Sequence, residues 1–501
     1  MSKNLALLVT TLASTCMLAA CSSDEGAQVQ SATSAAASTE ASSAVGSDSE
    51  AMAEYDTGDY PTTYRTEFKK EVAELTGGNM IESNRIANAF VLGFEADPDL
   101  TDQSASSRIL SPDYTFRFLT ENSIDALEAL NTPFQSGYFT SSHDADDTKE
   151  LTSAVIRFES PEKAQAAAKA LHDNIPKDNE DSSIYDDDEN YHPWAETTLD
   201  GREHTLISEK QLTDFNDKTK VQTVLESMTT SNEFLLYNFT VDLSGDAQAG
   251  KERINSYLDK QIPLLDTIDT HKTAEGYGKL DNWGTIDPEG LTRYAVQTPE
   301  GYNVPSVVGG LNARGFAATQ SDPEFIFKAL DLAGIENVGA WETSVIQAKN
   351  ADNAKVFQSA YIADSKDSDY RDYDEPQNLP DTSCVTKDET AGRGLLQCVM
   401  IYEDKVALGD QTFYKSRETN TDSTVINSSA PTASDRKPGS ASSFEEAQKL
   451  LSQKMAAQLA VFKDAKENPE GTKPKPAESV NPNESEPAGV ASESASATST
   501  S

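Results

Sequence analysis

The sequence predicts an α+β protein made of two related domains, each a mainly antiparallel sheet packed with helices. A disordered N-terminal tether and a disordered C-terminal tail flank them. Three observations predict this. A strand, cap and helix unit recurs from Ala154 to Ser344 at a constant offset of 190 residues. The surrounding runs alternate as strands do or carry a helical period. The stretches from Ser22 to about Ala53 and from about Asn468 to Ser501 lack the large apolar residues that a core requires.

The recurrence aligns Ala154-Val-Ile-Arg-Phe-Glu-Ser-Pro-Glu-Lys-Ala164 with Ser344-Val-Ile-Gln-Ala-Lys-Asn-Ala-Asp-Asn-Ala354. Each copy is a β-rich run ending in a helix cap, Ser160 or Asn350, whose side-chain oxygen can accept from the first free amides. Pro161 suits the first helical position, and Glu162 and Asp352 suit the positive end of a helix dipole.

Each copy continues into a second strand. Phe234 to Leu243 alternates, with Leu235, Tyr237, Phe239 and Val241 toward one face, and Leu395 to Tyr402 is read as its counterpart. Helices follow from Lys251 to Leu265 and from Phe444 to Phe462. Pro263 is expected to kink or end the first of them. In the second, Ala447, Leu451, Met455 and Leu459 share one side.

About 410 residues between the polar ends exceed one ordinary core, which is the size argument for two domains. The expected division is 1–20 leader, 21–54 modified cysteine and disordered linker, 55–275 first domain, 276–466 second domain and 467–501 acidic Pro/Ser-rich tail. Polar insertions at 176–191 and 415–443 read as loops. The join falls near the glycines Gly276, Gly278 and Gly284.

Lys3 precedes an uncharged apolar run from Leu5 to Ala20, which fits a secretory signal peptide and is short for a spanning helix. The run ends Leu18-Ala19-Ala20-Cys21, which resembles the lipobox of bacterial lipoproteins. Cleavage before Cys21 and attachment of diacylglycerol to its sulfur are the expectation, with palmitate-type acylation of the new amino group. A thiolate supplies the nucleophile that a thioether needs. Each buried methylene of an acyl chain contributes about 0.8 kcal/mol, so several chains hold a protein at a membrane. The expected location is the extracytoplasmic face of the cell membrane.

Cys16 leaves with the leader, and a lipidated Cys21 leaves Cys384 and Cys398 as a pair. An oxidising compartment favours a disulfide between them. Closing a loop of about 15 residues corresponds to roughly 3 kcal/mol. A formal charge of −42, from 41 basic and 83 acidic residues, repels nucleic acid. It also keeps an exported domain solvated.

At this point the residues carry a resemblance. Asp56-Thr-Gly-Asp-Tyr-Pro-Thr-Thr63, Arg85-Ile-Ala-Asn88 with Phe94-Glu-Ala-Asp-Pro98, the recurring unit, and Ser321-Asp-Pro-Glu-Phe325 with Ala333 to Gly339 resemble a family of actinobacterial cell-envelope lipoproteins. That mycobacterial and corynebacterial family has two domains and no assigned function. The resemblance covers roughly 55–465 and implies location and architecture, with no catalytic residue to transfer. The long acidic tail and the large insertions depart from the family pattern.

His143, His172, His192, His204 and His271 lack the spacing of HExxH or of a zinc finger. No nucleophile elbow, Walker loop or dinucleotide fingerprint occurs, and Gly309, Gly310 and Gly315 lack the phosphate-loop pattern. Ser160-Pro-Glu-Lys163 matches S-x-x-K, but it is also a helix start, and its aligned copy keeps the helix while lacking serine and lysine. The acid runs Asp186 to Glu189 and Asp364 to Glu375 lack EF-hand spacing.

The expected function is that of a membrane-anchored exported lipoprotein, a non-catalytic binding or structural module of the cell envelope. It needs no cofactor, and its partners are the membrane and an envelope ligand or protein. The alternatives are an envelope hydrolase with a non-contiguous site, or the substrate-binding lipoprotein of an importer.

Overall fold

The computed structural model describes residues 55–65, 70–110, 115, 118–119, 121–130, 134–175, 193–213, 221–268, 285–300, 305, 307–367, 370–388, 393–414 and 441–471. The leader, Cys21, the linker, the two polar insertions, the join and the acidic tail lie outside the described residues.

Seven strands form the first sheet: β1 (Asp102–Ile109), β2 (Phe134–His143), β3 (Lys149–Phe158), β4 (Ala195–Glu196), β5 (Leu206–Thr213), β6 (Val221–Ser231) and β7 (Phe234–Asp242). Their order is β1-β2-β3-β7-β6-β5-β4, with every neighbour antiparallel. The helices of this half are α1 (Lys70–Asn88), α2 (Gly93–Ala96), α3 (Glu121–Ala129), α4 (Pro161–Asn174) and α5 (Ala247–Leu265).

The second sheet contains β8 (Gly309–Asn312), β9 (Asn337–Ala340), β10 (Ser344–Gln347), β11 (Arg371–Asp372), β12 (Thr382–Asp388), β13 (Arg393–Tyr402) and β14 (Lys405–Tyr414). It is also antiparallel throughout. Its helices are α6 (Ala313–Ala317), α7 (Pro323–Leu332), α8 (Ala351–Asp367) and α9 (Phe444–Glu467). Read from β8, its order is β8-β9-β10-β14-β13-β12-β11, the first sheet's order shifted by seven strands. The duplication read from one short segment therefore extends over both sheets.

One pairing of that reading is corrected. The counterpart of β7 is β14, because each lies beside the recurring strand β3 or β10 and precedes the final helix of its half. Leu395 to Tyr402 belongs to β13, which matches β6. Both β6–β7 and β13–β14 turn through two residues, and Asn232 and Glu403 adopt φ of 50° and 56° there. Such hairpins require positive φ, which the strands' alternation does not reveal.

The caps form as the sequence predicts. Ser160 Oγ accepts from the Lys163 amide at 3.4 Å, and Asn350 Oδ1 accepts from the amides of Asp352 and Asn353 at 3.0 Å. Pro263 sits inside α5, two residues before its end, so it terminates the helix more than it bends it.

Both faces of the first sheet are covered. Leu235 and Tyr237 of β7 face α3 and α4, among Ile156, Met228, Ala167 and Leu171. Phe234 and Leu236 point the other way, toward Ile254, Tyr257 and Leu258 of α5 and Ile86 of α1. This second layer continues through Phe316 of α6 and Leu330 of α7 to Ile346, Val399 and Phe357 of the second half. The described residues, Tyr55 to Gly471, accordingly fall in one compact unit. On the far face of the second sheet, Ala447, Leu451, Met455 and Leu459 of α9 pack on Val345, Leu396, Met400 and Phe413.

Candidate functional site

The structure joins Cys384 to Cys398 as a disulfide between β12 and β13, where the two residues are directly opposite in register. Both are buried, and the Tyr373 hydroxyl lies 3.1 Å from Cys398 Sγ. The bridge thus belongs to the core under α9.

Ser160 caps α4 and shows no other role. The acid run from Asp364 is spread over α8, β11 and the next turn. Asp372 pairs with Lys366 at 2.9 Å, while Glu375 accepts from Ser452 and from the amides of Gln377 and Leu379. Among the described residues no group of three or more His, Cys, Asp or Glu is placed to hold a metal ion. His143 Nδ1 lies 2.8 Å from Asp147, His204 is exposed, and His192 and His271 lie outside the described residues.

The Asp56-Thr-Gly-Asp-Tyr-Pro element has a definite place. Residues 55–65, counted by sequence with the first domain, run along α9 of the second half. Asp56 exchanges two hydrogen bonds with Gln377: its amide donates to Oε1 at 2.6 Å, and its carbonyl accepts from Nε2 at 3.0 Å. Its carboxylate accepts from the Gly58 amide at 3.0 Å and from Gln453 Nε2 of α9 at 2.7 Å. Those bonds, Gln453 first, hold the Asp56 carboxyl below its ordinary range.

Gly58 turns with φ +53°, which glycine adopts without strain, and a Cβ there would stand 2.8 Å from Gln453 Oε1, so a larger residue would have to displace the Gln453 side chain from Asp56. Tyr60 then packs with Val296 and Ala457, and Tyr64 with Val461 and Ala465. The contacts on α9 step from 453 to 457 to 461, one helical turn at a time. Burial, followed by the neighbouring Tyr294 hydroxyl, pushes the Tyr64 phenol up to about 12. The two rings lie 4.8 Å apart. The result is a clamp fastening the first described residues to the last helix.

A polar seam ties the halves together elsewhere. Asn312 donates its amide to Asn88 Oδ1 at 2.9 Å and its Nδ2 to the Asn88 carbonyl at 3.0 Å. Asn84 donates to the Val308 carbonyl and accepts from Arg108 Nε at 2.7 Å. Arg314 forks onto Glu95, with Nη2 to Oε1 at 3.0 Å, and its guanidinium lies 5.2 Å from the centre of the Phe327 ring. Bidentate pairs of this kind fix orientation as well as adding energy.

One contact escaped sequence reasoning altogether. His172 Nε2 of α4 lies 3.2 Å from Ser208 Oγ of β5. Glu226 of β6 and Glu196 of β4 flank Ser208 in register. The residues stand 36 positions apart, and no spacing rule connects them. Ser208 is 4% exposed, so its hydroxyl is closed to a large substrate.

Comparison with known families and structures places the chain. Residues 70–277 match the N-terminal domain of unknown function DUF7373, and residues 291–410 match its C-terminal domain. Together the matches span more than half of the chain. The chain belongs to the DUF7373 family.

The DUF7373 match opens on α1 and closes within β14, so residues 55–65 and α9, the two sides of the clamp, lie outside it, while Tyr294, Val296 and Gln377 lie inside. No curated protein matches. Among solved structures, the extracellular domain of PknH from Mycobacterium tuberculosis is similar at 15% identity and a TM-score of 0.24, over 36% of this chain and 95% of that one.

Proposed function

We propose that this DUF7373 protein is an exported lipoprotein, acylated at Cys21 and held on the extracytoplasmic face of the cell membrane. In this reading it belongs to the actinobacterial two-domain envelope lipoproteins. Its duplicated body is a non-catalytic binding or structural module for an envelope ligand or protein.

The observation that carries the anchor is the order Lys3, apolar run, Leu18-Ala19-Ala20-Cys21. The cysteine arithmetic supports it, since Cys384 and Cys398 satisfy each other and leave Cys21 free for modification. No helix among the described residues is long and apolar enough to cross a membrane. Detergent-phase partitioning of the full chain tests the anchor. The wild type enters the detergent phase and Cys21→Ala stays aqueous; equal partitioning of the two refutes acylation at Cys21.

The hydrolase reading has one observation in its favour, the Ser208 and His172 pair, because an imidazole beside a hydroxyl is how a serine nucleophile is activated. Burial of Ser208 weighs against it. Labelling by a fluorophosphonate, lost in Ser208→Ala, is the outcome that would establish the enzyme.

A further inference from the structure

The clamp on α9 is fastened in a way that lets it open. Its outer side, a strap of residues 55–65, lies on the surface: Asp56, Gly58, Asp59 and Thr63 are exposed, and Tyr60 and Tyr64 are buried. Its bonds and ring contacts reach Gln377, Tyr294, Val296 and α9, all in the second half. The Tyr64 amide adds a bond to Asp464 Oδ2 near the end of α9, at 2.7 Å. The chain nevertheless continues from the strap, across residues 66–69, into α1 of the first half.

The cores do not depend on the strap. Tyr60 with Val296 and Ala457, and Tyr64 with Val461 and Ala465, form two small clusters apart from the three larger ones. Tyr55, half-buried, borders the core under α9. The halves are joined elsewhere, by Asn88 with Asn312 and by the continuous apolar layer. Segments with so few buried apolar contacts open locally before the whole molecule unfolds.

The helix α5 shows what α9 has added. Gln261 of α5 accepts from the Val91 amide at 2.8 Å and donates to the Ala89 carbonyl at 2.7 Å. Gln458 of α9 accepts from the Val296 amide at 3.3 Å and donates to the Tyr294 carbonyl at 2.8 Å. The two glutamines hold equivalent places, so Ser256, Lys260 and Leu264 of α5 stand where Gln453, Ala457 and Val461 of α9 stand. Lys260 is exposed. Where α5 turns a charge to solvent, α9 has a methyl group under a tyrosine ring. A helix whose sheet-facing stripe is already buried carries a second apolar face only to receive another layer.

We propose that residues 55–65 are a releasable latch over a peptide-binding groove on α9. The strap leaves as one piece with both sheets folded, and the groove then takes the same extended segment from a second copy of the chain. Spaced side-chain slots with main-chain bonds are a common way of reading an extended segment. Here Gln453 reads the Asp56 carboxylate, Ala457 receives Tyr60, and Val461 with Ala465 receives Tyr64. A second copy is the partner that carries every one of these groups. The proposal goes beyond the anchored module above and needs neither Cys21 nor its lipid.

A free peptide of residues 55–65, standing in for the second copy's segment, is titrated into the full chain and into its Gly58→Ala variant. That substitution strains the strap and leaves the groove's own residues unchanged. Apparent affinity falls with the fraction of groove that is open, so the peptide should bind the variant roughly tenfold more tightly than the wild type. Asp56→Ala in the full chain, which removes the carboxylate from Gln453, should act in the same direction. Hydrogen exchange around Asn88 reports that both variants keep the body folded. A peptide with Tyr60 and Tyr64 replaced by alanine should not bind. Equal affinity for wild type and variants, no binding to any of them, or equal binding of the alanine peptide overturns the proposal.

Discussion

Asn88, the last residue of α1, and Asn312, the last of β8, hold each other by two hydrogen bonds across the halves of the molecule. Gly315 completes the fit, since a Cβ there would lie 2.1 Å from Asn88 Oδ1. A continuous apolar layer, as well as these bonds, spans the two halves. The two halves should therefore unfold together. Asn88→Ala strands the Asn312 main-chain amide, while Asn312 Nδ2 keeps the carbonyl of residue 88, and the change should cost about 1–3 kcal/mol in denaturant unfolding. The transition should remain single, and two separated transitions in the wild type would contradict the shared core.

The clamp gives a second prediction. Gly58→Ala must adopt positive φ and crowd Gln453, at a cost of about 1–2 kcal/mol. The loss should be local, so hydrogen exchange should quicken at the Tyr60 and Tyr64 amides while the Asn88 region keeps its protection.

Asp287 predicts a pH effect. Burial pushes its carboxyl above the ordinary range, against the opposing bond from the Thr292 amide. Its charged form is thus disfavoured by folding. The contribution to stability is complete below the unfolded value of about 3.9 and is lost as pH rises through the folded value. Asp287→Asn keeps the acceptor for Thr292 and cannot ionise, so its melting temperature should exceed the wild type's at pH 7, with the gap closing below about pH 4.

The disulfide predicts two readouts. The intact protein should weigh two hydrogens less than its reduced form. Replacing Cys384 and Cys398 together by alanine should destabilise it by about 3 kcal/mol. An unchanged mass on reduction would remove the bridge.

The sequence disclosed what is local. Ser160 and Asn350 cap helices because a cap needs only residues within one turn, and the apolar stripe of α9 needs only its own period. The cysteine pair followed from counting. Contacts that depend on tertiary approach were hidden. Leu395 to Tyr402 reads as a convincing counterpart of β7, yet the strand order makes β14 the equivalent of β7. Asp56 and Tyr64 open the first domain in sequence, but their hydrogen-bond and ring partners are Gln453, Asp464 and Tyr294, some 230 to 400 positions later. Ser208 and His172 meet only because α4 crosses β5.

We propose a membrane-held module that binds rather than catalyses. Native mass spectrometry of the full protein, extracted in detergent from its own host's membranes, tests it most directly. The account predicts a diacylglycerol-modified chain that retains a non-covalently bound envelope ligand or protein. A bare, unmodified monomer would contradict both the anchor and the binding role.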